Sequence, residues 1–370
     1  MSTAVFRIVH LVSGDAWGGL EAMVLDLLCS AAYRARTETA IIVLNEGRFA
    51  SRARARGLRV VVVPESAMPF RSLVRELRRV IGDLKPDIIH THRYKEILLG
   101  AILSPVSVAR HVVTIHGYEP PASVFVRVRT ALSNSVCIGA ALVRGARFIV
   151  VADHLRACFK IPKNRCVTIH NGIQIPEPVR CAPEQGLHDL PKAAVVGWVG
   201  RMVPVKGLPT LFEAIAEMTW TPPPTLLLLG DGPERASLEQ LALSLGISSR
   251  VHFQGFVEDT RPFYGQMDLF ALPSHHEGIP IALLEALGAG LPVVAASVGG
   301  IPHVIGVSGA GVLIDSRSPS VWAKALTEIL QDRTSMKALG ERARSHIQAN
   351  FSVEGMACRY VVLYESLRAS

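Results

Sequence analysis

Short runs of β-branched and other apolar residues alternate along this chain with segments whose apolar positions recur at helical spacing. Such alternation marks parallel βα units, in which strands covered on both faces read as unbroken apolar runs. The runs predict strands at residues 6–12, 39–44, 59–63, 87–90, 112–116, 148–151 and 166–170, with helices between several of them, such as 20–32 and 72–84. The pattern pauses over residues 175–192, where Pro176, Pro178, Pro183 and Pro191 stand among mixed polar residues. That is the composition of an interdomain connection. A second set of strands follows at 193–200, 225–229, 251–253, 269–272, 292–295 and 311–314, with helices at 208–218, 234–245, 281–288 and 321–330. The expected architecture is therefore α/β, with two doubly wound Rossmann-like halves facing each other across a cleft. Ligands of such sheets bind outside the carboxyl ends of the strands. The expected domains are 1–175, a linker at 176–192, and 193–350, followed by a last helical segment at 351–370.

Length and composition agree with this division. The 370 residues suit two domains of about 150–200 residues each. With 49% apolar and 19% charged residues, two cores can be filled and disorder does not dominate. The N-terminal apolar run is broken by Arg7 and lacks a small-residue cleavage site, so it reads as a strand, not a secretion signal. Residues 286–314 carry no Asp, Glu, Lys or Arg, but their seven Gly and two Pro suit a buried strand–loop–strand better than a spanning helix. The cysteines (Cys29, Cys137, Cys158, Cys166, Cys181 and Cys358) form no Cys-x-x-Cys pair and read as buried thiols.

Charge adds an asymmetry. Residues 1–175 hold 24 Lys and Arg against 12 Asp and Glu, whereas the remainder holds 15 against 19. The basic excess gathers in Arg48, Arg52, Arg54, Arg56 and Arg59, then in Arg71, Arg75, Arg78, Arg79 and Lys85. Leu73, Leu77, Val80, Ile81 and Leu84 fall at helical spacing between those arginines. Two readings stand open: a basic amphipathic helix on an anionic membrane, or a solvated helix whose apolar stripe packs on the core. Nucleic acid is not an expected partner, because no recognised binding motif accompanies the charge.

The densest chemistry lies in the run from Pro273 to Ala295. A strand ends near Leu272, a loop carries Glu277 and Gly278, and a helix begins around Pro280, where proline suits a first helical turn. The N–H groups of Ile279, Ile281 and Ala282 and the positive helix end form a candidate anion site. Glu277 and Glu285 are eight residues apart, about two helical turns, so both are expected to face one ligand. Beside phosphates, a carboxylate finds its use in accepting hydrogen bonds from sugar hydroxyls. Solvated helix charges are the plainer alternative. Upstream, Arg201 and Lys206 flank a turn after a strand and complement each other on a diphosphate, the one as a planar fork and the other as a point charge. Gly230 lies in a tight turn, and Phe256 and Val257 either wall a nucleobase pocket or fill core. In the first half, Gly18-Gly19 allows close backbone approach to a ligand, and His116 ends a strand. Neither half holds a Gly-x-Gly-x-x-Gly turn, which argues against a dinucleotide-dependent dehydrogenase.

Taken in order, seven features resemble the retaining glycosyltransferases of family 4, which have the GT-B fold. They are Gly18-Gly19-Leu20-Glu21, His116-Gly117, Asn171-Gly172-Ile173, Gly200-Arg201 with Lys206-Gly207, Gly230-Asp231-Gly232-Pro233, Glu277 with Glu285, and Gly299-Gly300-Ile301-Pro302. The resemblance implies transfer from a nucleoside diphosphate sugar, UDP by default, with retention at the anomeric carbon and no cofactor or metal. No Asp-x-Asp triplet is present. It also implies that Glu277 holds donor-sugar hydroxyls and Glu285 the ribose. Arg201 and Lys206 would clamp the diphosphate, Gly19 would let a loop close over phosphate, and His116 would contact the sugar. The final helix would cross back to the first domain. Gln174 stands where Asp is usual, His303 where Glu is usual and Ala152 where Ser is frequent, and His275-His276 is an unusual pair. The expected acceptor is a saccharide, lipid-linked in cell-surface polysaccharide or glycolipid synthesis, with the enzyme cytoplasmic and peripheral at the inner membrane face. Alternatives are a soluble acceptor, a nucleotide-sugar epimerase, or a non-catalytic sugar-nucleotide binder.

Overall fold

The computed structural model describes residues 5–14, 17–107, 109–117, 124–175, 193–219, 221–306 and 309–368. They form two units, Met1–Gly172 with Val353–Ser370, and Ile173–Ser352. The expected linker at 176–192 lies outside the described residues, as does Cys181.

The first unit is built on β1 (Phe6–Val12), β2 (Thr37–Val43), β3 (Arg59–Val62), β4 (Ile88–Thr91), β5 (Arg110–Ile115), β6 (Arg147–Val150) and β7 (Cys166–Thr168). Their order is β3-β2-β1-β4-β5-β6-β7, with every pairing parallel. The order reverses between β1 and β4, where the register sets His10 beside His90 and Leu11 beside Thr91. The helix Phe70–Leu84 places Leu73, Val74, Leu77, Val80 and Ile81 in a core with Val9, Leu11, Ile42 and Ile89. Its apolar stripe is thus spent on the protein's own sheet, which rules out insertion of that stripe into a bilayer. Arg71, Arg75, Arg78 and Arg79 stay exposed, with Arg79 paired to Glu76 and Asp83.

The helix expected at 20–32 is broken into Gly19–Cys29 and Ala31–Arg34. Ser30 takes an extended conformation between them, and its hydroxyl accepts from Tyr33 N. A serine side chain competes with the helical backbone in this way and starts a new helix. The last helix, Val353–Arg368, belongs to this unit. Glu354 accepts from Ala31 N and Ala32 N at 3.0 and 2.9 Å, Glu365 pairs with Arg36, and Tyr360 and Tyr364 are buried.

The second unit holds β8 (Val195–Val199), β9 (Thr225–Leu229), β10 (Val251–Gly255), β11 (Leu269–Leu272), β12 (Val293–Ala296) and β13 (Gly311–Ile314). The order is β10-β9-β8-β11-β12-β13, again wholly parallel, and it reverses between β8 and β11. The uncharged stretch 286–314 contributes β12 and β13 to this sheet. No described helix is long and apolar enough to cross a membrane. The five described cysteines are free thiols, but against expectation only Cys137 is buried: Cys29 and Cys166 are half-buried, and Cys158 and Cys358 are exposed.

Candidate active site

In the second unit the loops at the carboxyl ends of β8 and β11 lie at the reversal of strand order. Met202 N donates to Asp231 O at 2.9 Å and Glu234 N to Met202 O at 3.1 Å, which ties the β8 loop to the β9 loop. His275 N donates to Val205 O at 2.7 Å, tying the same loop to the one after β11. Gly207 has φ +64, and a Cβ there would stand 2.2 Å from Pro273 O. Only glycine permits both that backbone and that approach. Gly299 repeats the device: its φ is +58, and a Cβ would meet Glu277 O at 1.9 Å. Gly300 N then donates to Gly278 O at 2.9 Å.

These contacts fix Glu277, whose side chain is only 8% exposed. Its Oε1 accepts from Lys206 Nζ at 2.7 Å and from Ser274 Oγ at 2.7 Å. Among the described residues no partner reaches Oε2. Arg201 is exposed and forms no ion pair with the described residues. The helix Ile281–Gly288 starts after Pro280, and the first described amide bonding back is Leu284 N to Pro280 O at 3.3 Å. The amides of Ile281 and Ala282 therefore lack an acceptor inside the helix, the condition for an anion site. Gly278 and Ile279 are buried just ahead of it.

Glu277 sits in the loop and not on this helix, so the two-turn spacing expected for Glu277 and Glu285 does not apply. Proline at 280, in extended backbone (φ −69, ψ 128), delays the helix past the first glutamate. Glu285 is held by different groups: its Oε2 accepts from Tyr264 Oη at 2.8 Å and Thr260 Oγ1 at 3.1 Å. Burial, and next the Glu285 charge, raise the Tyr264 hydroxyl well above its ordinary pKa, so it stays a donor. Phe256 is exposed just beyond β10, Val257 is half-buried beside it, and Gly230 N donates to Gly255 O at 2.7 Å.

In the first unit Gly18 precedes, and Gly19 begins, the helix Gly19–Cys29, and both are exposed. Glu21 is buried and pairs with Arg93. His116 follows β5 with its Nε2 3.1 Å from His92 Nδ1, and its own Nδ1 is buried with no hydrogen-bond partner among the described residues. Burial first, then His92 and Arg93, hold His116 well below the ordinary imidazole range, so it is neutral at neutral pH. Ring nitrogens of His10, His90 and His92 lie within 4.8 Å of one another, a spacing that suits a cation. Both nitrogens of each are already engaged: His10 by His92 and Tyr33, His90 by Tyr364 and Thr114, His92 by His10 and His116.

Sequence reading missed Ser274, Thr260, Tyr264 and His92 as supports of the site. The histidines left a signal, namely polar residues at buried positions in or just after neighbouring parallel strands.

Two parallel doubly wound sheets, each with candidate residues beyond the carboxyl ends of its strands, define an α/β protein of the doubly wound class, whose ligands bind at the reversal of strand order. Residues 17–175 match the family described as Glycosyltransferase Family 4, and residues 186–346 match Glycosyl transferases group 1. The chain belongs to these glycosyltransferases, of GT-B fold. It is 37% identical over 174 residues to the lipopolysaccharide core biosynthesis glycosyltransferase LpsE of Rhizobium meliloti, covering 47% of this chain and 50% of that protein. It is 35% identical over 185 residues to a D-inositol 3-phosphate glycosyltransferase of Corynebacterium efficiens, covering 46% of this chain and 42% of the relative. The chain thus matches half or less of the length of these curated relatives. The crystal structure of Anabaena HepE in complex with UDP-glucose shares the fold, with a TM-score of 0.85 at 22% identity over 99% of this chain and 100% of that one.

Proposed function

We propose that this chain transfers a sugar from a nucleoside diphosphate sugar, with UDP as the expected nucleotide, to a saccharide acceptor, with retention at the anomeric carbon. The observation that carries the reading is the contact of Lys206 with Glu277 at the reversal between β8 and β11. It sets a mobile cation and a buried carboxylate side by side, with exposed Arg201 on the same loop as Lys206 and a helix N-terminus just beyond Glu277. A diphosphate draws on Arg201, Lys206 and the amides of Ile281 and Ala282. Glu277 is then released to accept from sugar hydroxyls.

As the bond to the anomeric carbon breaks, negative charge gathers on the leaving diphosphate. Cations and amides gathered there supply several kcal/mol of stabilisation. Glu285, oriented by Tyr264 and Thr260, is assigned to the ribose hydroxyls, and Phe256 and Val257 to the base. The acceptor fits lipopolysaccharide or related polysaccharide synthesis, the process in which the Rhizobium meliloti relative acts.

The test is a thermal-shift panel of UDP-, GDP- and ADP-sugars, followed by assay of nucleoside diphosphate release with saccharide acceptors. A ligand at a hundred times its Kd stabilises a fold by about 2.7 kcal/mol, which shifts the melting temperature measurably. A panel in which no nucleotide sugar shifts the transition would overturn the reading.

A further inference from the structure

We propose that Tyr264 is a positioning residue that sets specificity: by holding the Glu285 carboxylate in place before any ligand arrives, it makes the site prefer ribonucleotides to their deoxy counterparts. The proposal rests on the assignment of Glu285 to the ribose hydroxyls, and every group it invokes belongs to the second unit.

The position of Tyr264 is set by the core. It closes the short helix Arg261–Tyr264, is only 1% exposed, and packs against Phe270 of β11 with ring centroids 6.1 Å apart. Three residues on, Met267 lies over Gly197 of β8, where a Cβ would stand 2.0 Å from the methionine sulfur. The glycine thus makes room for the methionine. Asp268 then fastens the segment to the start of β8, since its N donates to Val195 O at 2.9 Å and its Oδ2 accepts from Val195 N at 2.8 Å. Ahead of the tyrosine, Asp259 Oδ1 accepts from Arg261 N at 3.1 Å. The phenol is therefore held from both sides.

Its hydroxyl has one proton and two oxygens within reach, Glu285 Oε2 at 2.8 Å and Ala282 O at 3.4 Å. The nearer, charged acceptor takes it. Thr260 Oγ1 brings a second donor to the same oxygen at 3.1 Å. Glu285 itself is half-buried on the helix Ile281–Gly288 and carries a long, flexible side chain. Two donors on Oε2 resist its rotation and oppose its turning out to water.

An ionised carboxylate accepts hydrogen bonds but donates none, so the groups it reads must be donors. Ribose presents two hydroxyls on adjacent carbons, whereas 2′,3′-dideoxyribose presents neither. A site that keeps an acceptor ready for a hydroxyl rejects the analogue lacking it, because the acceptor is then left unpaired. A carboxylate free to turn to solvent escapes that penalty, and the discrimination fades with it. Tyr264 thereby sets the preference for ribose through Glu285.

The test is calorimetry of the whole chain with UDP and with 2′,3′-dideoxy-UDP. The parent should prefer UDP by roughly thirtyfold, as expected for hydrogen bonds to a charged acceptor. Tyr264→Phe keeps the ring and its packing, and should weaken UDP about tenfold while leaving 2′,3′-dideoxy-UDP within about twofold. The unchanged affinity for the dideoxy form is the control on folding. Thr260→Val should act in the same direction to a smaller degree. In transfer assays Tyr264→Phe should raise the donor KM and leave kcat within about twofold, because the ribose is gripped alike before and during transfer. Equal weakening of both nucleotides would make Tyr264 a packing residue, and no weakening of either would mean that Glu285 needs no support; each result overturns the proposal. Glu285→Ala tests the premise separately. It should erase the preference for UDP, and a preference that survives it overturns the assignment of Glu285 to the ribose.

Discussion

Lys206 Nζ lies 2.7 Å from Glu277 Oε1, and the two side chains come from loops after strands that are neighbours in the sheet but not in the chain. The lysine neutralises a carboxylate that would otherwise be an uncompensated charge in a nearly closed site. Removing one partner of a buried pair is destabilising, although the 23% exposure of Lys206 screens the effect. Lys206→Ala is expected to cost about 2 kcal/mol of stability and to lower turnover by roughly two to three orders of magnitude. Urea denaturation with Glu277→Gln added should recover most of the stability and none of the activity. Recovery of both would mean that Lys206 serves only the fold.

Glu277 should divide binding from chemistry. Glu277→Gln keeps an acceptor for Ser274 but frees Lys206, so the grip on a nucleoside diphosphate is retained while recognition of the sugar hydroxyls weakens. Calorimetry should give a UDP affinity within about threefold of the parent, a difference under 1 kcal/mol. Transfer should fall at least a hundredfold, about 2.7 kcal/mol of transition-state stabilisation. Equal losses in both quantities would place Glu277 against the phosphates instead.

Gly299 and Gly246 make a matched pair for the backbone argument. Both have positive φ, +58 and +69, but a Cβ at 299 would collide with Glu277 O, whereas one at 246 meets nothing within 4 Å. Gly246→Ala should cost about 1 kcal/mol from backbone conformation alone. Gly299→Ala should cost clearly more and reduce activity, because Glu277 must move. Equal costs measured by chemical denaturation would show that the loop yields freely.

Much of this was legible in the residues because parallel strands buried on both faces read directly as apolar runs. The strands at 6–12, 225–229, 269–272 and 311–314 were read without shift. The helix Tyr94–Ser107 went unread, since Pro105 within it has the appearance of a breaker. Glu277, Glu285, Arg201 and Lys206 were visible as types at strand ends. Their partners were not, because Ser274, Tyr264 and Thr260 act through contacts that no local pattern encodes. The histidine chain was hidden for the same reason: the neighbourhood of His10 and His90 is a matter of sheet register, and Tyr364 arrives from the far end of the chain.

The buried histidines should make the first unit sensitive to acid. His92 and His111 are each held down to about 3, chiefly by burial, against an unfolded value near 6.5. Between those values the unfolded chain binds protons that the folded one refuses, so stability falls as pH drops through 6.5 and continues to fall towards 3. Each such histidine contributes up to about 1.4 kcal/mol per pH unit in that window. His111→Gln keeps a group able to meet the Thr91 hydroxyl, which lies 3.0 Å from His111 Nε2. It should flatten the dependence of stability on pH by about one proton's worth, and an unchanged slope would mean that His111 titrates normally.

Arg71, Arg75 and Arg78 remain available for electrostatic contact on the helix Phe70–Leu84, since its apolar stripe is already packed on the sheet. Insertion is therefore closed to this helix, and any attachment to a membrane through it must rest on charge. Near an anionic surface each arginine contributes about 1 kcal/mol, and the attraction fades beyond a Debye length of about 8 Å at physiological salt. Sedimentation with vesicles rich in anionic lipid should therefore show binding that weakens steeply with added salt. Vesicles of neutral lipid should bind nothing, and Arg71→Glu with Arg75→Glu and Arg78→Glu should abolish binding while leaving turnover on a water-soluble acceptor analogue unchanged. Binding that survives high salt or the triple replacement would require an apolar anchor elsewhere in the protein, and the arginine face would then be no more than a solvated surface.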